Sequence, residues 1–273
     1  MNAPSRSVVL TIALVLGLIV SAGLAQADDT AWKAAHDTDP HLALTQQQLD
    51  ATAAKRAAEA PSAAPLIGAL AAPWSECGSC GGGGSYPSSA SLVANQTPQA
   101  TSYWCGPAAV HEALDALGVS ISQSAAATAL HTTTAGTAWS GGGTSPSGYP
   151  VPDVMNRYQS RNYYVPQSVS SATSSAISTY ERDLEMDVSA IRAPVIGNVW
   201  EVPNGQHLNG HPANLQIFHW FEIRGYYGSG GTTLYEDSVH GATSISWSAN
   251  VPAYSNLPSY QIVSIVSGRG YVW

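Results

Sequence analysis

Helical patterns fill the first part of this chain and β-rich runs fill the second, and this order is the strongest constraint on its fold. Apolar residues recur with helical spacing as far as Ile191, whereas the β-rich runs begin after Ala193. Helices followed by strands predict an α+β domain. We expect a helical N-terminal half to pack on an antiparallel β-sheet half, with a cleft between them.

Local signals place the helices. Thr45 and Gln48 form a capping-box pattern, which predicts a helix from about Thr45 to Glu59. A second helix is predicted to begin at Cys105 and to end before Gly118, because an apolar stripe with helical spacing lies between them. Further helices are expected over residues 122–130, 152–158 and 176–191.

Five β-rich runs supply the strands, and Gly, Asn and Pro residues separate them. These runs cover residues 194–200, 216–226, 232–236, 243–247 and 261–266. We predict that they form the sheet half of the domain.

The N-terminus has the pattern of a secretory signal peptide. Arg6 precedes an apolar run from Val8 to Val20, and the sequence Ala25-Gln26-Ala27 follows it. The run is too short to span a membrane comfortably. We therefore expect residues 1–27 to be removed, leaving a secreted protein, extracellular or associated with the cell wall, that is not stably inserted in a membrane.

The charge of the mature chain excludes one class of partner. Removal of Arg6 with the signal peptide leaves nine basic and 18 acidic side chains, a net charge of −9. A nucleic-acid-binding protein would instead carry a basic surface. We therefore expect no nucleic-acid partner.

Residues 28–85 differ in amino-acid composition from the rest of the chain. Prolines follow the first predicted helix, and a glycine-rich linker occupies residues 78–85. This region is interpreted either as a pro-segment that covers an active site or as a flexible spacer. The scarcity of large apolar residues favours the spacer. The folded domain is expected to cover residues 86–273.

The three cysteines also divide into two groups. Cys77 and Cys80 are close enough in sequence to form a disulfide in an oxidising compartment. Half of a zinc site is a weaker alternative for this pair, because no second Cys-x-x-Cys is present. Cys105 is then left as a free thiol.

The sequence around Cys105 has the features of a nucleophile site. A helix N-terminus favours a thiolate, and the amide of Gln99, six residues upstream, can join the Cys105 N–H in binding an oxyanion. A cysteine nucleophile also needs a base and a partner that orients the base. His219, in an apolar strand, and Asp237, at the end of the next strand, are the candidates.

Two acceptors near Asp237 are alternatives for the orienting role. Glu236 precedes Asp237, and Asn250 lies nearby in sequence. Strand alternation sends Glu236 and Asp237 to opposite faces, so only one of them can reach the histidine. His207 and His211 suggest a metal pair, but the Asn and Gly between them favour a surface or cleft-rim loop.

These motifs together resemble the papain-like cysteine peptidases of the bacteriocin-processing (double-glycine leader) type, in their stand-alone secreted branch. The resemblance rests on the Gln99 to Cys105 spacing, the run Cys-Gly-Pro-Ala, the strand histidine before Gly225-Tyr226, and the aspartate after the next strand. It covers residues 95–237. It implies a papain-like fold and no metal or cofactor.

The resemblance also implies a role for each site residue. Cys105 would be the nucleophile, His219 the general base and then acid, Asp237 the orienting residue, and Gln99 the oxyanion donor. Two departures from the family pattern concern the substrate subsites. Large residues follow His219, and Ser238 replaces a common proline after Asp237.

The expected activity is hydrolysis of a peptide bond through a thioester at Cys105. The substrate would be a peptide or protein, with a cell-wall peptide as one option, and the protein is expected to be a monomer. Two alternatives stay open: a cell-wall peptide amidase of the same fold, and a catalytically silent module that binds a peptide or wall polymer.

Overall fold

The computed structural model describes residues 32–37, 39–40, 42–59, 86–141 and 145–273. The predicted signal peptide, Cys77, Cys80 and the glycine-rich linker lie outside the described residues. The described chain combines helices with a single antiparallel sheet. This arrangement confirms the predicted α+β class.

Seven antiparallel strands form the sheet. They are β1 (Ala90–Ser91), β2 (Pro166–Val169), β3 (Val195–Glu201), β4 (Ile217–Tyr227), β5 (Thr232–Glu236), β6 (Tyr254–Pro258) and β7 (Arg269–Val272). Their order across the sheet is β2-β7-β3-β4-β5-β6, and β1 pairs with the end of β4. The two longest strands, β3 and β4, lie at its centre.

Besides a short helical turn over residues 32–36, six α-helices of the described residues surround this sheet. They are α1 (Gln46–Glu59), α2 (Cys105–Ala116), α3 (Gln123–Ala129), α4 (Pro150–Tyr158), α5 (Ser174–Glu185) and α6 (Ser259–Val266). A π-helical turn (Met186–Ile191) continues α5, and a 3₁₀ turn (Ser248–Asn250) precedes β6. None of the described helices combines the length and the apolar character needed to cross a membrane.

The sheet is covered on both faces, which explains why β3 is buried along its whole length. Val195 and Val199 pack into one core with residues of α5 and α6. Ile196, between them in sequence, packs into a second core with residues of α2 and α4. A strand buried on both faces therefore has apolar residues at successive positions, as at Val195-Ile196 and Val199-Trp200, instead of an alternating pattern.

Two of the predicted strands are wrong. Residues 243–247 form turns with mostly exposed side chains, because this segment has no neighbouring strand in the sheet. Residues 261–266 belong to helix α6, which is buried on nearly all sides. A short helix that is apolar all round has the same composition as a buried strand, so its sequence does not distinguish the two.

The described part of the N-terminal region contacts the rest of the chain. Lys55 of α1 lies 3.0 Å from Asp187, and Lys55 and Arg56 both stack over the Trp273 ring at 4.2 Å. Lys33, in a helical turn over residues 32–36, donates to the carbonyl of Ser264 at 3.0 Å. Cationic side chains therefore help to hold this region against the sheet, together with apolar contacts of Leu44 with the second core and of Trp32 with Trp200.

Candidate active site

Cys105 begins helix α2, as predicted, and lies at the floor of a cleft. The helix has no side-chain cap, and the backbone amides of Gly106 and Trp220 face the sulfur. A Cβ atom on Gly106 would overlap the side chain of Thr137. Glycine is therefore required after the cysteine, because the helix start and the 132–137 loop approach so closely.

Strands β4 and β5 bring His219 and Asp237 to Cys105. Glu222 of β4 is paired with Glu236 of β5, so Asp237 emerges from β5 close to the strand that carries the histidine. His219 Nε2 lies 3.1 Å from Asp237 Oδ1, close enough for an ion pair but not aligned for a hydrogen bond. His219 also interacts with the Cys105 thiol, and this interaction contributes to the raised pKa of the imidazole.

The electrostatics of these three groups favour a thiolate–imidazolium pair. Burial alone would raise the pKa of Cys105, but the hydrogen bond and charge of His219 and the two backbone amides lower it overall. Burial would lower the pKa of His219, but Asp237 and the thiolate raise it well above its usual value. The pKa of Asp237 is lowered despite burial, chiefly by His219 and His211.

Asp237, and not its neighbours, faces the histidine. Its Oδ1 accepts a hydrogen bond from Val239 N at 2.9 Å and its Oδ2 faces His211 at 3.0 Å. Glu236 instead lies with Glu222 and other acidic side chains, as strand alternation predicts. Asn250 ends the 3₁₀ turn before β6.

Gln99 is buried and is tied to the residue after Asp237. Its backbone N–H donates to Ser238 O at 2.8 Å, and its Oε1 accepts from the Ser238 hydroxyl at 3.3 Å. Its Nε2 donates one hydrogen to Thr101 O at 2.7 Å. Ser238, which departs from the family pattern, therefore orients the Gln99 amide in a way that proline, without a hydroxyl, cannot.

Residues 207–211 form a loop, as predicted, and Asn209 and Gly210 are exposed, but the His211 side chain is fully buried behind Asp237. His211 Nδ1 lies 2.8 Å from Glu201 Oε2, and its Nε2 lies 3.0 Å from Asp237 Oδ2. His207 Nδ1 lies 2.9 Å from the same Glu201 oxygen. Sequence reasoning missed Glu201 and His211. The available signal was a glutamate ending an otherwise apolar strand, followed by two histidines.

The cleft beside Cys105 has a volume of ≈ 580 Å³. Trp139 and Trp220 line it with ring centroids 5.7 Å apart, and Trp220 Nε1 donates to Thr137 O at 3.0 Å. Asp39 from the N-terminal region also lines the cleft. The walls therefore combine aromatic rings with small, polar and charged residues, with room for an extended peptide segment beside the thiol.

Two buried groups in the described part of the chain bring three potential metal-ligating atoms within 4.8 Å of one another. One is His211, His219 and Asp237. The other, the glutamate cluster, consists of Glu112 of α2, Glu222 of β4 and Glu236 of β5. All three glutamates are fully buried, so a proton or a cation must offset their charge.

Replacing Glu222 of the glutamate cluster with glutamine should stabilise the fold by an amount that grows with pH. Burial, and then the charges of Glu236 and Glu112, raise the pKa of Glu222 well above its usual value. The protonated Glu222 carboxyl contributes fully to the free energy of unfolding at pH values below the ordinary Glu pKa. This contribution is lost as the pH rises through the raised pKa of Glu222 in the folded state. Glutamine has a similar shape and no such proton to lose.

Thermal unfolding of the Cys105→Ala protein, with and without Glu222→Gln, measures this effect between about pH 5 and about pH 9. The Tm of the glutamine variant should exceed that of its parent increasingly with pH, by about 2–4 °C for each kcal/mol gained. A Tm difference that is equal at every pH, or a lower Tm throughout, would contradict the assignment of a protonated Glu222.

A thiol, an imidazole and a carboxylate beside an open cleft are the groups of a thiol-dependent acyl-transfer site. The model of the Peptidase_C39-like family matches residues 92–263, and the chain therefore belongs to this family. The match includes Cys105, His219 and Asp237, and it supports a peptidase as the class of activity. A comparison with curated proteins gives no match.

Proposed function

We propose that this chain is a secreted, papain-like cysteine peptidase that hydrolyses a peptide bond through a thioester at Cys105. The observation that carries the proposal is the convergence of Cys105, which lines the cleft, with the buried His219 and Asp237, together with a lowered pKa for the thiol and a raised pKa for the imidazole. Membership of the Peptidase_C39-like family supports it.

In the acylation step, the Cys105 thiolate attacks the carbonyl carbon of the scissile bond. The carbonyl oxygen becomes an oxyanion, which the Cys105 N–H and the second Nε2 hydrogen of Gln99 stabilise. The His219 imidazolium then gives its proton to the leaving amine nitrogen, and the C–N bond breaks. The products are a thioester at Cys105, a free amine and a neutral His219.

In the deacylation step, neutral His219 takes a proton from a water molecule that attacks the thioester carbonyl. Collapse of the second tetrahedral intermediate breaks the C–S bond and releases the carboxylic acid. The thiolate and the imidazolium are restored together. Asp237 stabilises the imidazolium form of His219 in both steps and keeps its own charge.

We further propose that residues 28–85 act as a pro-segment and not as a loose spacer. The proposal is supported by contacts of the described N-terminal residues at the cleft: Asp39 lies 3.3 Å from Arg269, and Pro40 O accepts from the Ser140 hydroxyl at 2.6 Å. A segment held at this position would restrict access of a substrate to the cleft.

Digestion of a peptide library tests the proposed activity, with residues 86–273, freed of the proposed pro-segment, and their Cys105→Ala variant compared by mass spectrometry of new peptide ends. Cleavage only by the protein that retains Cys105 is expected. Release of peptides from purified cell wall without cleavage of the library would favour the amidase alternative. Tight binding without turnover on either substrate would favour the binding module.

Replacing Gln99 with alanine should lower kcat by about 10²–10³-fold with little change in KM, because the lost donor acts on the oxyanion and not on the bound substrate. Gln123→Ala is the matched control. Gln123 holds the same loop, through Ala100 N at 2.9 Å and Pro98 O at 2.9 Å, without supplying an oxyanion donor. If steady-state kinetics show an equal loss of kcat for both variants, Gln99 only positions the loop and does not act as an oxyanion donor.

A further inference from the structure

His211 lies between two buried carboxylates, and this arrangement determines its charge. Its Nδ1 is 2.8 Å from Glu201 Oε2 and its Nε2 is 3.0 Å from Asp237 Oδ2. A neutral imidazole has only one N–H, so it can donate to only one of these acceptors. Both ring nitrogens carry a hydrogen only in the imidazolium form.

We propose that His211 is a positioning residue: a protonated imidazolium that bridges Glu201 and Asp237 and thereby holds Asp237 in place for His219. The inference rests on the proposed function of the site. The proposal extends the site by two residues, His211 and Glu201. Neither of them touches the substrate.

Glu201 anchors this bridge at the end of β3. The carboxylate is fully buried, and its oxygens face His207, His211 and the backbone N–H of Leu208 at 2.8–2.9 Å. Burial would raise the pKa of Glu201, but the hydrogen bonds from His207 and His211 lower it overall. An ionised Glu201 is therefore available to pair with a charged His211.

The groups around His211 leave it with two anionic neighbours and one cationic neighbour. Glu201 faces it from the end of β3 and Asp237 from the end of β5, while the His219 ring of β4 lies 5.4 Å away between centroids. Its remaining neighbours carry no charge.

The Trp247 ring packs edge-on against the His211 ring, with 4.8 Å between the centroids. The hydroxyl of Tyr235 of β5 accepts a hydrogen bond from Asn209 N in the same loop. Burial lowers the pKa of His211, but the two carboxylates raise it overall.

A charged His211 has a defined effect on the catalytic pair. Asp237 then lies between two cations, so its attraction for the His219 proton is partly offset. Removing the positive charge at position 211 should raise the pKa of both His219 and Cys105. A merely structural role would reduce the amount of folded protein or the rate, without moving either pKa.

Histidine-selective ¹⁵N NMR tests the protonation state directly and needs no activity. In the Cys105→Ala protein, with the His211 signals assigned by His211→Gln, both ring nitrogens should be protonated from about pH 5 to about pH 8. Signals of a neutral ring at neutral pH would overturn the inference. Residue 211 is unchanged in the protein whose protonation state is read, and His211→Gln serves only to identify its signals.

The pH dependence of Cys105 alkylation by iodoacetamide tests the effect on the site. His211→Gln should move both ionisations upward by about one pH unit. His240→Gln is the matched control, because His240 is exposed and bonds to the carbonyl of Val251.

The outcomes separate the two proposals. An alkylation profile of His211→Gln that is reduced in rate but unshifted would overturn the positioning role of His211. A shifted profile in a protein that cleaves no peptide would support the charged bridge and reject the peptidase. Peptide cleavage by a chain whose His211 ring is neutral would support the peptidase and reject the bridge.

Discussion

Cys105→Ala should abolish peptide hydrolysis, with kcat/KM lowered by at least about 10⁴-fold. The substitution removes the atom that forms the thioester, and no other thiol of the described chain can replace it. The fold should persist, because alanine occupies the same buried position at the start of α2 without the cost of burying a thiolate. Kinetics on a cleaved peptide, with circular dichroism of both proteins, measure the two effects.

Cysteine variants elsewhere in the chain provide the control for this prediction. Cys77→Ser and Cys80→Ser should retain activity within a few-fold, because the proposed chemistry assigns them no role. Peptide hydrolysis by the Cys105→Ala protein at a rate near that of the unmodified chain would remove the basis for a cysteine peptidase.

His219→Gln should have an effect of comparable size, about 10⁴-fold or more on kcat/KM. Without the imidazole, burial is the largest influence on Cys105 and raises its pKa. Loss of His219 also removes the acid that protonates the leaving amine. At about pH 6, a thiol with the ordinary pKa of about 8.5 is less than 1% ionised, so Cys105 alkylation should fall by about 100-fold or more.

The direction of the pH effect distinguishes His219 from a packing residue. The variant should recover alkylation only as pH rises towards or above the ordinary thiol pKa, whereas its parent should be alkylated well below it. His240→Gln again serves as the control and should leave the profile unchanged. An unshifted profile in His219→Gln would mean that the imidazole does not hold the Cys105 thiolate.

Local signals in the sequence predict most of the helices because their ends are determined by neighbouring residues. The Thr45–Gln48 capping box forms as expected, with Thr45 N donating to Gln48 Oε1 at 2.9 Å. Ser122 caps α3 through Ala125 N, and Gly118 adopts a positive φ of 78° after α2. These interactions lie within a few residues of one another, so the sequence is sufficient to predict them.

Elements that depend on distant partners are harder to predict. The short strands β2 and β7 pair with each other across about 100 residues of sequence, and no local pattern predicts either of them. Helix α6 was predicted as a strand because Ile262, Val263 and Ile265 are β-branched and buried on every side. Only packing between α6 and the sheet determines its conformation.

The residues of the candidate site also differ in whether local signals or distant partners determine their positions. Cys105, His219 and Asp237 were predicted because each stands at a helix start or along adjacent strands, where local rules locate it. For His211 the sequence predicts a surface or cleft-rim loop, because Asn209 and Gly210 indicate a turn. The buried His211 ring contacts Glu201 at the end of β3 and Asp237 at the end of β5. No local sequence pattern predicts these two contacts.

The pH dependence of iodoacetamide alkylation in the unmodified mature chain tests the central claim most directly, with the modified residue identified by peptide mapping. The thiolate–imidazolium pair predicts that Cys105 is the modified residue and that its rate stays high well below the ordinary thiol pKa of about 8.5. A rate that rises only near or above that value, or modification that bypasses Cys105, would contradict it.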